Sequence, residues 1–137
     1  MTGYIELQVT TNYSFLRGAS HPEELFAQAK WLGLPALGIT DRNSLAGIVR
    51  CYQRADEVGV RMLAGCRLDL SGGPSVLVYP QNRAGYARLC RLLSRGKARA
   101  GKGKCDLAWQ DVVAHGEGLL AVLLADRVGR ATRKGVR

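Results

Sequence analysis

Asp41 stands at the end of an apolar stretch, PALGIT, and just before a helix-like pattern. A carboxylate in that place has three uses: a hard ligand for a cation, a general base, or a cap for the following helix. The residues that could share a site with it differ in chemistry. Thr10, Thr11, Asn12 and Ser14 follow a second strand-like stretch, YIELQV. Their hydroxyls and amide are weak ligands and good turn formers. Arg17, Arg42 and Arg67 are permanent cations with no lone pair to offer a metal. His21 and His115 are each isolated along the chain. A transition-metal centre needs several His, Cys or carboxylate ligands converging, and beyond Asp41 only the distant Glu6 and Asp69 are on offer. Three guanidinium groups beside a divalent ion would add repulsion on the order of several kcal/mol in a partly dry pocket. No Ser-His-Asp order, Walker loop or GxGxxG sequence is present.

The four cysteines, Cys51, Cys66, Cys90 and Cys105, form no CxxC pair, which argues against a zinc knuckle or redox motif. Cys51 and Cys66 lie among apolar neighbours and read as small core residues of a reducing compartment. The chain has 137 residues, 47% hydrophobic and 23% charged, enough for one globular domain or part of a larger one. No apolar run reaches the length of a membrane span, and MTGYIELQV lacks the pattern of a signal peptide, so a cytoplasmic location is expected.

Charge is unevenly placed. Residues 1–82 hold seven Lys/Arg and seven Asp/Glu, whereas residues 83–137 hold thirteen and four, which supplies the whole net charge of +9. Arg83, Arg88, Arg91, Arg95, Lys97, Arg99, Lys102 and Lys104 fall in one stretch with no acidic residue. Such a stripe is either a solvated face or a surface for a polyanion such as nucleic acid.

The elements that must position these groups alternate. YIELQV has apolar residues at every second position, as a half-buried strand does. Ser20-His-Pro-Glu23 predicts a helix start, with Ser20 as cap, Glu23 at the capping-box spacing and Gly33 as the stop. PALGIT predicts a second strand. Asn43 or Ser44 is expected to cap a second helix with Leu45, Ile48, Val49, Tyr52 and Ala55 on its apolar side, ending at Gly59. RMLAGCRLDL and SVLVYP predict two more strands joined by the SGG turn. Asn82 opens a third helix with Leu89, Leu92 and Leu93 inside, predicted to end at Gly96 before a flexible basic loop, KARAGKGK. Asp106 is expected to cap a fourth helix, and GLLAVLLA reads as a strand buried on both faces. The pattern implies an α/β fold of mainly parallel strands, with about five strands and four to five helices. In such folds chemistry lies at the C-terminal ends of the strands, which puts VTTNYS, TDRN and GCRLD on one rim.

NYSFLRGASHPEEL and TDRNSLAG, within a match running over about residues 3–120, resemble the start of bacterial C-family DNA polymerase alpha subunits, and more closely the error-prone branch used in damage-induced mutagenesis. Those proteins begin with a PHP (polymerase and histidinol phosphatase) domain. The resemblance implies a partial PHP-type distorted (β/α) barrel over residues 1–125. Residues 126–137 are then a basic tail, disordered or a non-native end. The family's metal ligands fall by resemblance on Gln8, Thr10, Arg17, Asp41, Arg42, Arg67 and Ser75, of which only Asp41 keeps a ligand's chemistry. The resemblance therefore implies a degenerate PHP module acting as a scaffold, with no catalytic residue, metal or cofactor of its own. The full-length family is a Mg²⁺-dependent DNA-directed DNA polymerase whose palm carboxylates this chain lacks. The implied partners are the remainder of the polymerase subunit, DNA, the sliding clamp and mutagenesis proteins, with no membrane. A basic nucleic-acid-binding module is the alternative function, and a PHP-type metal phosphoesterase a further one. The three rim arginines have three open roles: ion pairs to Asp41 in place of a metal, a basic phosphate pocket, or exposure to solvent.

Overall fold

The structure, a computed structural model, describes residues 3–15 and 17–124. The elements in chain order are β1 (Glu6–Val9), α1 (Pro22–Leu32), β2 (Ala36–Arg42), α2 (Ile48–Val58), β3 (Arg61–Asp69), β4 (Ser75–Pro80), α3 (Arg83–Ala100), α4 (Trp109–Ala114) and β5 (Leu119–Leu123). The strands are hydrogen-bonded in the order β1-β2-β3-β4-β5. The α/β class and the five-strand, four-helix content agree with the sequence reading. The described residues form two compact units, divided between Cys66 and Arg67 within β3.

In the first unit β1 pairs parallel with β2, Glu6 opposite Leu37 and Val9 opposite Ile39. β2 is buried along almost its whole length, as a run of ALGITD without alternation requires. α1 begins one residue later than its Ser20 signal suggested. His21 is the cap residue, and its backbone N–H donates to the Glu24 carboxylate at 3.0 Å, so the capping box uses Glu24 and not Glu23. Pro22 takes the first helical position, where a missing N–H costs nothing. α1 and α2 both end on a left-handed glycine, Gly33 and Gly59, as expected.

α2 starts at Ile48 after Gly47, not at Asn43 or Ser44. Its inward stripe is Ile48, Cys51 and Ala55, while Val49 and Tyr52 face solvent at 67% and 63% exposure. The Cys51 and Cys66 side chains are fully buried, as their apolar neighbours implied. Burial pushes the Cys51 thiol up to about 12, and the Asp41 and Glu23 carboxylates add to the rise. A native thiol held neutral favours folding below the ordinary thiol range, and this contribution fades as pH climbs from about 8.5 toward 12. Cys51 is therefore expected to resist a thiol-labelling reagent at pH 8 in the folded chain and to react after unfolding. Peptide mass mapping checks this.

In the second unit β4 pairs antiparallel with β5, Val76 opposite Leu123 and Pro80 opposite Leu119. β5 is not buried on both faces: Leu120, Val122 and Leu123 are each about half exposed. A continuous apolar run cannot by itself distinguish a central parallel strand from the last strand of a sheet. α3 is capped as predicted, with Asn82 Oδ1 accepting from the Gly85 N–H at 2.8 Å. It does not stop at Gly96 but runs on to Ala100, so half of KARAGKGK is helix. Gly96 is there for space. A Cβ on it would meet Cys105 Sγ and the Leu107 side chain at 2.7 Å, where the returning chain lies against α3. α4 is capped by its own Asp111, which accepts from the Ala108 N–H at 2.9 Å. Asp106 instead accepts from the Ser71 hydroxyl. The Arg99 guanidinium, 2.7 Å from Asp111, holds that carboxyl down at about 2, with the Ala108 N–H assisting. The expected tail, residues 126–137, lies outside the described residues.

Candidate functional site

Asp41 ends the buried run of β2 and is 2% exposed. It does not cap α2. Its carboxylate is held by the turn that follows β1. The Thr11 backbone N–H donates to Oδ1 at 2.7 Å, and the Ser14 hydroxyl donates to the same oxygen at 2.8 Å. The Thr11 hydroxyl donates to Oδ2 at 2.7 Å. Thr11 and Ser14 are themselves buried, so the ring of donors is closed to water.

Each donor is fixed in turn. Thr11 Oγ1 accepts from the Tyr13 N–H, and Ser14 Oγ accepts from the Arg42 N–H at 3.0 Å. The Ser14 N–H bonds the Thr11 carbonyl, and the N–H groups of Arg17 and Gly18 both bond the Ser14 carbonyl. The Cys66 thiol donates to the Asp41 carbonyl at 3.4 Å and to the Ser44 carbonyl at 3.6 Å. Desolvating a carboxylate is costly unless its oxygens accept hydrogen bonds, and here three short ones reach them, two on Oδ1 and one on Oδ2.

The ion pair that could have replaced a metal is absent: among the described residues no guanidinium pairs with Asp41. Two hydroxyls and a backbone N–H hold its oxygens instead. Arg17 is exposed in the turn, Arg42 is half-buried at the end of β2, Gln8 is exposed on β1, and Thr10 is half-buried.

The structure joins the other two positions singled out by resemblance. In the second unit Arg67 Nε donates to Asp69 Oδ1 at 3.0 Å, and Arg67 Nη2 lies 3.3 Å from Ser75 Oγ. The Ser75 hydroxyl donates to the same Asp69 oxygen at 2.7 Å. Guanidinium, hydroxyl and carboxylate thus tie the end of β3 to the start of β4. The sequence named Asp69 only as a distant carboxylate of the rim, not as a partner of Arg67 and Ser75. Its signal was available, because residues two apart on a strand share a face and Arg67 and Asp69 are opposite charges. The roles of Thr11 and Ser14 had no comparable local signal, since their partner lies about thirty residues away.

Neither histidine is placed as a ligand. His21 Nδ1 contacts Asn12 Nδ2 at 3.0 Å, and His115 Nδ1 contacts the Asp111 carbonyl at 2.9 Å. Of the eight cations in the basic stripe, Arg88 is turned to Glu117 and Arg99 to Asp111, while the other six are exposed.

Residues 6–134 match the PHP domain family. The chain belongs to that family. This PHP domain is 67% identical over 123 residues to error-prone DNA polymerase 1 of Agrobacterium fabrum, covering 90% of this chain and 11% of that protein. Error-prone DNA polymerase 3 of the same organism is 58% identical over the same coverage. The chain thus spans about a tenth of the length of these curated relatives. Among solved structures, an amidohydrolase from Chromobacterium violaceum with bound sulfate and no metal matches at a TM-score of 0.58. The two are 22% identical, over 69% of this chain and 33% of that one, so the likeness is one of fold.

A metal does not fit the donors of this PHP domain. Both oxygens of Asp41 already accept hydrogen bonds, and the remaining positions present an amide, hydroxyls and fixed cations. Among the described residues no group of three or more His, Cys, Asp or Glu converges to hold an ion. Nor is any helix long and apolar enough to cross a membrane.

Proposed function

We propose that this chain is a metal-free PHP module of an error-prone DNA polymerase and serves as structural framework, with no catalytic chemistry of its own. The observation that carries the reading is the engagement of both Asp41 oxygens by buried donors of Thr11 and Ser14. A group that in a metal centre would donate its lone pairs to an ion here ties the turn after β1 to the end of β2. The names of the relatives support membership of a larger polymerase. In this reading the longer polypeptide extends DNA on a template with Mg²⁺ and deoxynucleotides, in damage-induced mutagenic synthesis in the cytoplasm. It does so beside the sliding clamp and mutagenesis proteins.

The test is direct. The purified chain, incubated with Zn²⁺ or Mn²⁺ and dialysed, should retain no stoichiometric metal by elemental analysis. Neither metal nor EDTA should move its melting temperature, and a generic phosphodiester should not be hydrolysed above background. Stoichiometric metal that disappears in Asp41→Asn, together with metal-dependent hydrolysis, would overturn the proposal in favour of a phosphoesterase.

A further inference from the structure

We infer that the outer face of α3, with the loop that follows it, is a docking surface for the phosphate backbone of nucleic acid, engaged without reading bases. α3 buries Gly85, Leu89, Leu92, Leu93 and Gly96 along one side. At 3.6 residues per turn the opposite side is marked by Arg83, Arg91 and Arg95, with Ala87, Ser94 and Ala98 between them. Small residues between cations let a sugar-phosphate strand approach the helix closely.

The acidic groups nearby are engaged elsewhere. Glu117 faces Arg88, Asp111 faces Arg99, and Asp106 takes the Ser71 hydroxyl. Arg83, Arg91, Arg95, Lys97, Lys102 and Lys104 are therefore exposed, and none makes an ion pair among the described residues.

Helix stability does not account for this arrangement. Cations near a helix C-terminus complement the dipole, which covers Lys97 and the lysines beyond it. The same rule disfavours Arg83 in the first turn, which holds no acidic residue, and is indifferent to Arg91 and Arg95 in the middle. The loop lysines are also held near the helix. The Gly101 N–H bonds the Lys97 carbonyl, the Lys104 N–H bonds the Gly101 carbonyl, and the Asp106 N–H returns to the Gly96 carbonyl at 2.9 Å.

An acidic protein partner fits less well. Protein interfaces are built around buried aromatic or aliphatic anchors and are depleted of charge at their centre. None of the large exposed hydrophobic residues falls between Arg83 and Lys104. A polar, strongly positive surface is what protein–DNA interfaces present. Arg91 and Arg95 lie about 6 Å apart along the helix axis, close to two phosphate steps of ~3.4 Å on one strand.

The experiment is fluorescence anisotropy of a short labelled DNA duplex with the full chain over a KCl series. If all six cations engage phosphates, log affinity against log salt should fall with a slope of about −5. Arg91→Ala with Arg95→Ala should reduce that magnitude by about 2, equally for duplexes of unrelated sequence. Arg91→Lys with Arg95→Lys should restore it, because lysine keeps the phosphate contact as a point charge. Arg61→Ala, an exposed cation of the first unit, should leave the slope unchanged. Circular dichroism and melting temperature verify that each variant is folded. Three results would overturn the inference: an unchanged slope in the double alanine variant, an equal loss in Arg61→Ala, or poly-glutamate displacing the probe as well as unlabelled duplex does. The inference is independent of the metal assay above, and failure of one leaves the other standing.

Discussion

Asp41→Ala should cost this PHP domain about 3–5 kcal/mol, because it strips three buried donors of their shared acceptor at once. The substitution leaves the Thr11 N–H, the Thr11 hydroxyl and the Ser14 hydroxyl buried without their acceptor. Each unsatisfied group costs about 1–3 kcal/mol, softened where the turn can open to water. Against a total stability of about 5–15 kcal/mol, such a loss leaves the fold marginal. In thermal melts it should appear as a fall of roughly 10–15 °C, or as a chain that does not fold cooperatively. Asp41→Asn keeps the shape and one acceptor oxygen, and the Thr11 hydroxyl can rotate to accept from the new amide. Its cost should be about 1–2 kcal/mol. The ordering Ala worse than Asn should hold equally with and without EDTA. A loss seen only after chelation would mean that Asp41 serves an ion and not the turn.

Gly18→Ala is expected to be nearly as damaging, for a different reason. A Cβ on Gly18 would run into the carbonyl of Thr11, a backbone wall that no rotamer change can move. The turn must therefore open. When it does, the Gly18 N–H and Ser14 carbonyl separate, and Ser14 loses its aim at Asp41. A cost of about 3 kcal/mol is expected, at the upper end for overpacking because the obstruction is main chain. Gly33→Ala is the informative comparison. A Cβ there meets nothing, and the penalty of about 1–2 kcal/mol comes only from the left-handed backbone at φ 74°. Chemical denaturation of the two variants separates obstruction from backbone preference. Equal losses would show that the turn yields to Gly18→Ala more easily than its contacts imply.

Much of the fold could be read before it was seen where the signal is local. Gly33 and Gly59 stop their helices, Asn82 caps α3, and β4 ends at Pro80. Errors arose where a local rule met a longer-range contact. Gly96 reads as a helix stop, yet the returning Cys105 and Leu107 need the absent side chain, so α3 continues past it. Asn43 and Ser44 read as caps, yet α2 begins only after Gly47 and its buried stripe is Ile48, Cys51 and Ala55, which leaves Val49 and Tyr52 to solvent. At the site the resemblance singled out positions, and the sequence did not show which partners they would take. A serine and a threonine in a turn look alike whether they bond their own backbone or a carboxylate thirty residues on. Opposite charge made an ion pair to Asp41 one of three open roles for the rim arginines. Two hydroxyls and an amide instead satisfy the carboxylate oxygens by hydrogen bonds, without desolvating a second charge.

The tie from Ser14 and Thr11 to Asp41 also works as a ratchet. A histidine placed at Thr10 alone should confer no affinity for zinc, because the donors already aimed at Asp41 would first have to be dislodged and rehoused. Metal binding at this rim would need new ligands and the release of those donors together, and each half alone would weaken the fold without rewarding it. A metal centre here is therefore hard to reach one substitution at a time.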